Sequence, residues 1–141
     1  MIPQERAKKS AAAMWTNDQM SRHFGMEITE IDEGIATLIM TVQSVHCNGH
    51  GVCHGGVTFT LADSAFAFAC NSRNKSTVAQ HNMISYITPG FEGDVLTAKA
   101  REIRLTGRNG IYDVQVTNQH GELIAEFRGF SRQIKGQLFD E

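Results

Sequence analysis

The 141-residue sequence carries 15 acidic and 13 basic residues, giving a net charge of −2, and 41% of its residues are hydrophobic. This length supports one globular domain, so we assign residues 1–141 to a single unit, and the scattered basic residues argue against nucleic acid as a partner. Without a signal-peptide pattern or a run of about 18 apolar residues, we expect a cytoplasmic protein that does not engage a membrane. Three cysteines in such a chain favour free thiols over a disulfide framework.

The first predicted element is a helix over about residues 4–24. Helix-forming residues fill this segment, and Gly25 follows it as a typical helix end. Two β-prone runs come next, 26–31 and 35–43, and the three residues 32–34 between them have the composition of a hairpin turn. The N-terminal part therefore predicts a helix followed by two antiparallel strands.

A glycine-rich segment, HCNGHGVCHGG at residues 46–56, leads into the apolar run VTFTLADSAFAFAC. Apolar residues cover nearly every face of the helix predicted here, over about residues 55–72, so we expect it to be buried on most sides. Four β-prone runs follow at 78–87, 95–105, 111–119 and 123–134, separated by the turn signals PGFEGD, TGRNG and NQHGE. The order α-β-β-α-β-β-β-β with hairpin-like connections predicts an α+β fold, a mainly antiparallel sheet wrapped around a long central helix.

One carboxylate interrupts the apolar helix. Asp63 lies near its middle, where a buried acid is unfavourable unless it is paired, hydrogen-bonded or functional. Two explanations remain open at this point. Asp63 either accepts hydrogen bonds from a neighbouring loop in a structural role, or it is a catalytic acid.

The glycine-rich segment has the residue types of a metal site but not the spacing. His46, His50 and His54 recur every fourth residue, which places ligands on one face only in a helix, and the glycines among them disfavour a helix. We therefore expect no metal. Cys53 is an alternative nucleophile next to His54, but adjacent residues in a turn rarely direct their side chains at each other, so a thiol mechanism is disfavoured.

The pattern NGHGVCHGGVTFTLADSAFAFACNS followed by ISYITPGFEGDVLTAKA resembles the hot-dog-fold acyl-CoA thioesterases, most closely the PaaI-type enzymes of phenylacetate degradation. The resemblance extends over about residues 12–133. It implies hydrolysis of an acyl-CoA thioester, phenylacetyl-CoA or a ring-modified derivative, without a cofactor. The alternatives are a medium-chain or other aryl acyl-CoA thioesterase and, less favoured, a hot-dog hydratase or a non-catalytic acyl-CoA binder.

The resemblance also implies roles for four residues. A helix N-terminus offers unpaired N–H groups and a positive dipole end, so Gly55 is the expected oxyanion-hole donor. His54 shapes the turn, Asn48 orients the acyl group or the attacking water, and Asp63 acts as general base or nucleophile. For Asn48 and His54, a purely structural role in the turn remains the alternative.

Spacing along the helix bears on how these residues combine. Gly55 and Asp63 are eight residues apart, which corresponds to about 12 Å along one helix. Both cannot readily contact one carbonyl carbon, so we expect a site shared by two chains. This agrees with the dimeric unit of the family, which often pairs into tetramers, and predicts a homodimer or homotetramer. Candidates for binding the CoA phosphates are seven basic residues near strand ends and loops: Arg73, Lys75, Lys99, Arg101, Arg104, Arg108 and Arg128.

Overall fold

The computed structural model describes the whole chain, Met1–Glu141. Its helices are α1 (Pro3–Asn17), α2 (Gln19–His23) and α3 (Gly55–Cys70), and Ser44–His46 form one turn of 3-10 helix. Its strands are β1 (Glu27–Asp32), β2 (Ile35–Thr41), β3 (Thr77–Tyr86), β4 (Val95–Thr106), β5 (Asn109–Thr117) and β6 (Leu123–Gln133). No helix in the fold has the length and apolar character that crossing a bilayer requires.

The N-terminal segment forms two helices where the sequence predicted one over residues 4–24. Asp18 lies between them, and its Oδ1 accepts the N–H of Ser21 at 2.9 Å. An aspartate in this position starts a new helix because its side chain bonds an N–H group that otherwise has no partner. The Ser21 hydroxyl lies 2.7 Å from that of Ser64, so the break also fastens α2 to α3.

All six strands lie in one antiparallel sheet with the order β1-β2-β4-β5-β6-β3. This confirms the predicted α+β class, but the expectation of hairpin-like connections throughout is wrong between β3 and β4. After β2 the chain crosses the sheet through α3 and enters β3 at the far edge, where β3 pairs only with β6. β4 then returns to the open side of β2. The loop of the first hairpin has two residues, 33 and 34, where three were predicted, because Asp32 already pairs with Ile35.

Helix α3 packs on the inner face of this sheet. Its fully buried residues Leu61, Ala62 and Ala65 pack in the same core as Leu38 of β2 and Val114 of β5. Burial of one large apolar side chain contributes roughly 1.5–3 kcal/mol, so the buried residues of this helix stabilise the core substantially.

The C-terminal end of α3 is tied to the start of β3. The Asn71 side chain donates to the carbonyl of Thr77 at 3.0 Å and accepts the Thr77 N–H at 2.9 Å. The same amide group donates to the carbonyl of Ala67 in the last turn of α3 at 2.9 Å. The helix therefore ends at Cys70, two residues before the predicted end, because Asn71 bonds both the helix and the next strand.

One glycine lets the helix approach the sheet. A Cβ atom at Gly129 of β6 would lie 2.7 Å from the ring of Phe66. That ring also packs against Tyr112 and Phe127, with centroid distances of 5.6 Å and 5.9 Å. Phe66 thus fills a gap in the sheet surface that a side chain at position 129 would close.

We expect Gly129→Ala to lower the free energy of unfolding by about 1–3 kcal/mol, the usual effect of overpacking a core. The matched control is Gly49→Ala, because a Cβ at Gly49 meets nothing within 4 Å and the residue has no positive φ. Urea unfolding of both variants at equal protein concentration measures the difference. Equal midpoints for the two variants would contradict the proposed role of Gly129.

Candidate active site

His54 is the N-cap of α3. Its Nδ1 accepts the N–H of Gly56 at 2.8 Å, and its own N–H donates to the carbonyl of His46 at 2.8 Å. The ring is therefore unprotonated at Nδ1 while the cap is in place. A Cβ at Gly56 would lie 3.0 Å from that nitrogen, so a glycine at this position gives the imidazole room to cap the helix.

Gly55 is the first residue of α3, and its N–H has no acceptor within the chain. Its carbonyl accepts the hydroxyl of Tyr86 at 2.8 Å, and a Cβ at position 55 would lie 3.0 Å from Cζ of that ring. Gly55 lines a cleft of about 290 Å³. The lining residues are Val52, Cys53, Gly55, Thr58, Tyr86, Ile87, Thr88, Pro89, Gly90 and Ile124. A helix N-terminus with an unpaired N–H at an open cleft can bind a carbonyl oxygen.

Asn48 lies in the turn that precedes this helix. Its Oδ1 accepts the N–H of His50 at 2.9 Å and that of Val52 at 3.3 Å. The Oδ1 of Asn48 therefore stabilises the turn, which is the structural role considered as the alternative for this residue. Its Nδ2 donates no hydrogen bond within the chain, which leaves an amide donor for a bound molecule.

Asp63 lies two turns further along α3 and is half-buried. Burial raises the pKa of Asp63 above its ordinary value, and a hydrogen bond from the Asn82 side chain at 3.1 Å partly offsets the rise. The Oδ1 of Asn82 is buried without a hydrogen-bond partner. The carboxyl group of Asp63 therefore lies next to an unsatisfied acceptor. In this setting the group binds a proton more readily than an aspartate in water does.

The structure places the four predicted residues at three positions along the chain. His54 and Gly55 lie at the start of α3 and Asn48 lies in the turn before it, whereas Asp63 lies about 12 Å beyond Gly55 along the helix at roughly 1.5 Å per residue. Within one chain the acid and the unpaired N–H are thus at separate places.

Asn82 and Tyr86 are the contacts that sequence reasoning missed. Both lie on β3, where alternate residues face the same side, and both bond to residues of α3. The sequence marked residues 78–87 only as a strand. The available signal was an amide and a phenol four residues apart on one face of a strand, but which element they face depends on the order of strands in the sheet.

The three histidines of the glycine-rich segment have separate roles. His46 is buried, and its Nδ1 accepts the N–H of Gln43 at 3.0 Å. Burial lowers the pKa of His46, which keeps the ring neutral and able to accept. His54 caps α3 as described, and His50 is exposed.

Two of the seven basic residues considered for phosphate binding are held closely by carboxylates, and a third, the exposed Arg101, forms a looser salt bridge with Asp113 at 3.9 Å. Arg73 forms a salt bridge with Glu102 at 2.6 Å and a longer one with Glu33 at 3.3 Å. Arg128 binds Asp113 through two hydrogen bonds of 2.6 Å and 2.9 Å. Their charges are largely compensated, so a phosphate would have to compete with these carboxylates.

Comparison with known proteins gives consistent matches. A model of the thioesterase superfamily matches residues 50–125. The acyl-coenzyme A thioesterase PaaI of Escherichia coli (strain K12) is 43% identical over 136 residues, which cover 96% of this chain and 97% of the relative. The solved structure of the E. coli PaaI protein from the phenylacetic acid degradation operon has a TM-score of 0.95 at 42% identity, covering 96% of this chain and 99% of that chain. A hypothetical thioesterase from Streptococcus pneumoniae TIGR4, solved with coenzyme A, has a TM-score of 0.76 at 28% identity, covering 79% of this chain and 90% of that chain.

The raised pKa of Asp63 predicts that this residue reduces stability at neutral pH. The folded chain holds the proton more tightly than the unfolded chain, so stability falls as the pH rises from 3.8 through the folded-state pKa. We expect Asp63→Asn to raise Tm at pH 7, and in a domain of this size a gain of about 1 kcal/mol corresponds to roughly 3–5 °C. The gain should shrink as the pH falls towards 3.8.

Asp94→Asn is the control for this measurement, and its change in Tm should have the opposite sign. A hydrogen bond from Gln119 lowers the pKa of Asp94, so this carboxylate stabilises the folded state at neutral pH and its replacement should lower Tm. A decrease of Tm in both variants would refute the assignment for Asp63.

Proposed function

The chain belongs to the thioesterase superfamily and is a PaaI-type acyl-CoA thioesterase with the hot-dog fold, and from this premise we propose that it hydrolyses phenylacetyl-CoA or a ring-modified phenylacetyl-CoA. The E. coli relative at 42% identity comes from the phenylacetic acid degradation operon, which supports an arylacetyl group over a straight acyl chain. The observation that carries the proposed mechanism is the combination of an unbonded N–H at Gly55 with a half-buried acid at Asp63.

In the proposed reaction the thioester carbonyl lies against the start of α3. The Gly55 N–H donates to the carbonyl oxygen, whose negative charge grows as the tetrahedral intermediate forms. The free Nδ2 of Asn48 orients the acyl group or the attacking water, and the His54 cap holds the turn in position. No metal or other cofactor takes part in this scheme, and coenzyme A enters as part of the substrate.

Asp63 supplies the other half of the reaction. As a general base it takes a proton from water, which then attacks the carbonyl carbon, and the sulfur of coenzyme A leaves. As a nucleophile its carboxylate attacks the carbonyl carbon, the C–S bond breaks to release coenzyme A as the thiolate, and water then hydrolyses the mixed anhydride. Its raised pKa makes it a stronger base than an exposed aspartate in either role.

The two halves of the site combine across a dimer in this proposal. β3 pairs with β6 on one side only, and its other edge is open, with Met83 and Tyr86 more than half exposed. An open edge of this length is a template for a second strand. Two β3 strands related by a two-fold axis near Ile84 would place position 82 of one chain opposite position 86 of the other.

This register brings the separate contacts together. Asn82 holds Asp63, and Tyr86 holds Gly55, so the pairing sets the acid of one chain beside the helix start of its partner. The dimer, and a tetramer built from two such dimers, are part of this proposal. The cytoplasmic location expected from the sequence stays a prediction.

The substrate is tested with phenylacetyl-CoA, benzoyl-CoA and octanoyl-CoA, followed by loss of thioester absorbance. We expect the highest kcat/KM for phenylacetyl-CoA, and we expect Asp63→Ala to lower kcat by at least about 100-fold, the lower end for a positioned acid or base. Glu30→Ala, which removes an exposed carboxylate from β1, is the control and should retain full activity. Preference for octanoyl-CoA would overturn the arylacetyl substrate, and an active Asp63→Ala would overturn the acid.

The shared site is tested by mixing inactive subunits. A hybrid of Asp63→Ala with Gly55→Pro keeps one intact site of two, so an equal mixture should recover about a quarter of wild-type activity if chains exchange freely. The control is Asn48→Ala mixed with Gly55→Pro, because both changes fall on the same side of the site. Native mass spectrometry verifies that hybrids form. Hybrids without recovered activity would exclude a site built from two chains.

A further inference from the structure

Two cysteines face each other at the ends of the turn that carries Asn48. Cys47 and Cys53 form an isolated antiparallel bridge. The bridge is flanked by two backbone hydrogen bonds of 2.8 Å, from the His54 N–H to the His46 carbonyl and from the Asn48 N–H to the Val52 carbonyl. Because these bonds lie on either side of the pair, the cysteines occupy a non-hydrogen-bonded position of the bridge.

This position has the geometry that a disulfide needs. Residues opposite each other at a non-hydrogen-bonded position have Cα atoms about 4.5 Å apart and side chains on the same face. Disulfides span Cα distances of roughly 4.4–6.8 Å, so Cys47 and Cys53 can be joined without a large backbone movement.

Both thiols are free, and their present contacts are weak. The Cys47 sulfur lies 3.6 Å from the carbonyl oxygen of Gln43. The Cys53 sulfur lies 3.7 Å from the carbonyl oxygen of His54 and 3.7 Å from Oγ1 of Thr58. Neither set of contacts holds a sulfur strongly, because thiols are weak donors and weak acceptors.

The two thiols differ in accessibility, which gives the reaction an order. Cys47 is half-buried and can meet a reagent from solvent, whereas Cys53 is 7% exposed. Burial raises the pKa of the Cys53 thiol, so it is the less reactive of the two towards an external reagent. The third cysteine, Cys70, is buried in α3 and has no cysteine opposite it.

We infer that Cys47 and Cys53 are a redox modification site, at which a low-molecular-weight disulfide closes the Asn48 turn and lowers turnover. The Cys47 thiolate attacks the reagent R–S–S–R, whose S–S bond breaks to release RS⁻ and leave a mixed disulfide on Cys47. The Cys53 thiol loses its proton to solvent, its sulfur attacks that of Cys47, and the second RS⁻ leaves. In sum R–S–S–R is reduced to two R–SH, and the two cysteines are oxidised to one disulfide.

The bond would act on the site through the turn between the cysteines. Cys53 lines the same cleft as Gly55, and the turn it closes carries Asn48. Joining the sulfurs draws Cys53 away from Thr58 in the first turn of α3 and fixes the two arms of the turn together. A displacement of about 1 Å in a positioned group can lower the rate by about 100-fold. Excess thiol reverses the reaction, and thioester hydrolysis itself releases a thiol.

The test uses the full chain incubated with oxidised glutathione at neutral pH and then alkylated with N-ethylmaleimide after unfolding. We expect a mass loss of about 2 Da before alkylation, one alkylated thiol, and a peptide map that joins Cys47 to Cys53. Cys70→Ser should form the same disulfide, and Cys47→Ser should not. Three alkylated thiols in the wild type, or a mixed disulfide that persists without the internal bond, would overturn the inference.

Activity is measured on the same samples, each compared with its own untreated state. We expect oxidation to lower the turnover of a thioester by about 10-fold or more in the wild type and in Cys70→Ser, with recovery on addition of dithiothreitol. Cys47→Ser should be insensitive to oxidised glutathione. A mapped disulfide that leaves turnover unchanged would refute the effect on the site. The mass map does not depend on turnover, so it also separates a failure of this inference from a failure of the proposed substrate.

Discussion

Burial of α3 on the inner face of the sheet is the constraint on which the rest of the structure depends. An apolar helix with so little polar surface has to be covered, and six strands curve around it to do so. Once the helix is fixed in this way, its N-terminus opens at the edge of the sheet. The one carboxylate along it, Asp63, then lies beneath β3. Core packing therefore sets where the candidate catalytic residues lie. At Gly55, Gly56 and Gly129 a side chain would crowd the neighbouring atoms.

The helix ends are specified by side chains that also bind neighbouring segments. His54 caps the first turn through Nδ1 while its backbone N–H bonds to His46, which fixes the glycine-rich turn to the helix. Asn71 closes the other end and pairs with Thr77 at the start of β3. Because each cap has a second partner outside the helix, a change at either end alters both the helix and the segment next to it.

Much of the fold follows from local pattern, and the exceptions share one cause. Periodicity located all six strands and the central helix to within a few residues, because a buried helix and half-buried strands have distinct patterns of apolar residues. The placement of β3 at the far edge did not follow, since strand order is decided by where α3 delivers the chain. Asp63 was recognised because a carboxylate within an apolar helix is visible in the local sequence. Asn82 and Tyr86 were not recognised. Their relevance comes from contacts made across the sheet.

Folding leaves two polar groups of this region without partners. The N–H of Gly55 has no acceptor, and the buried Oδ1 of Asn82 has no donor. Leaving the buried Oδ1 of Asn82 unsatisfied costs about 1–3 kcal/mol, and burial also penalises the charge on Asp63. A fold selected for stability alone would pair or replace the Asn82 amide oxygen and the Asp63 carboxylate. Hydrolysis of a thioester, in contrast, requires a donor free for the carbonyl oxygen and acceptors free for the two protons of water. The free donor and the buried acceptor are thus consistent with a hydrolytic site, and β3 lies next to both, because Asn82 belongs to this strand and Tyr86 of the same strand donates to the Gly55 carbonyl.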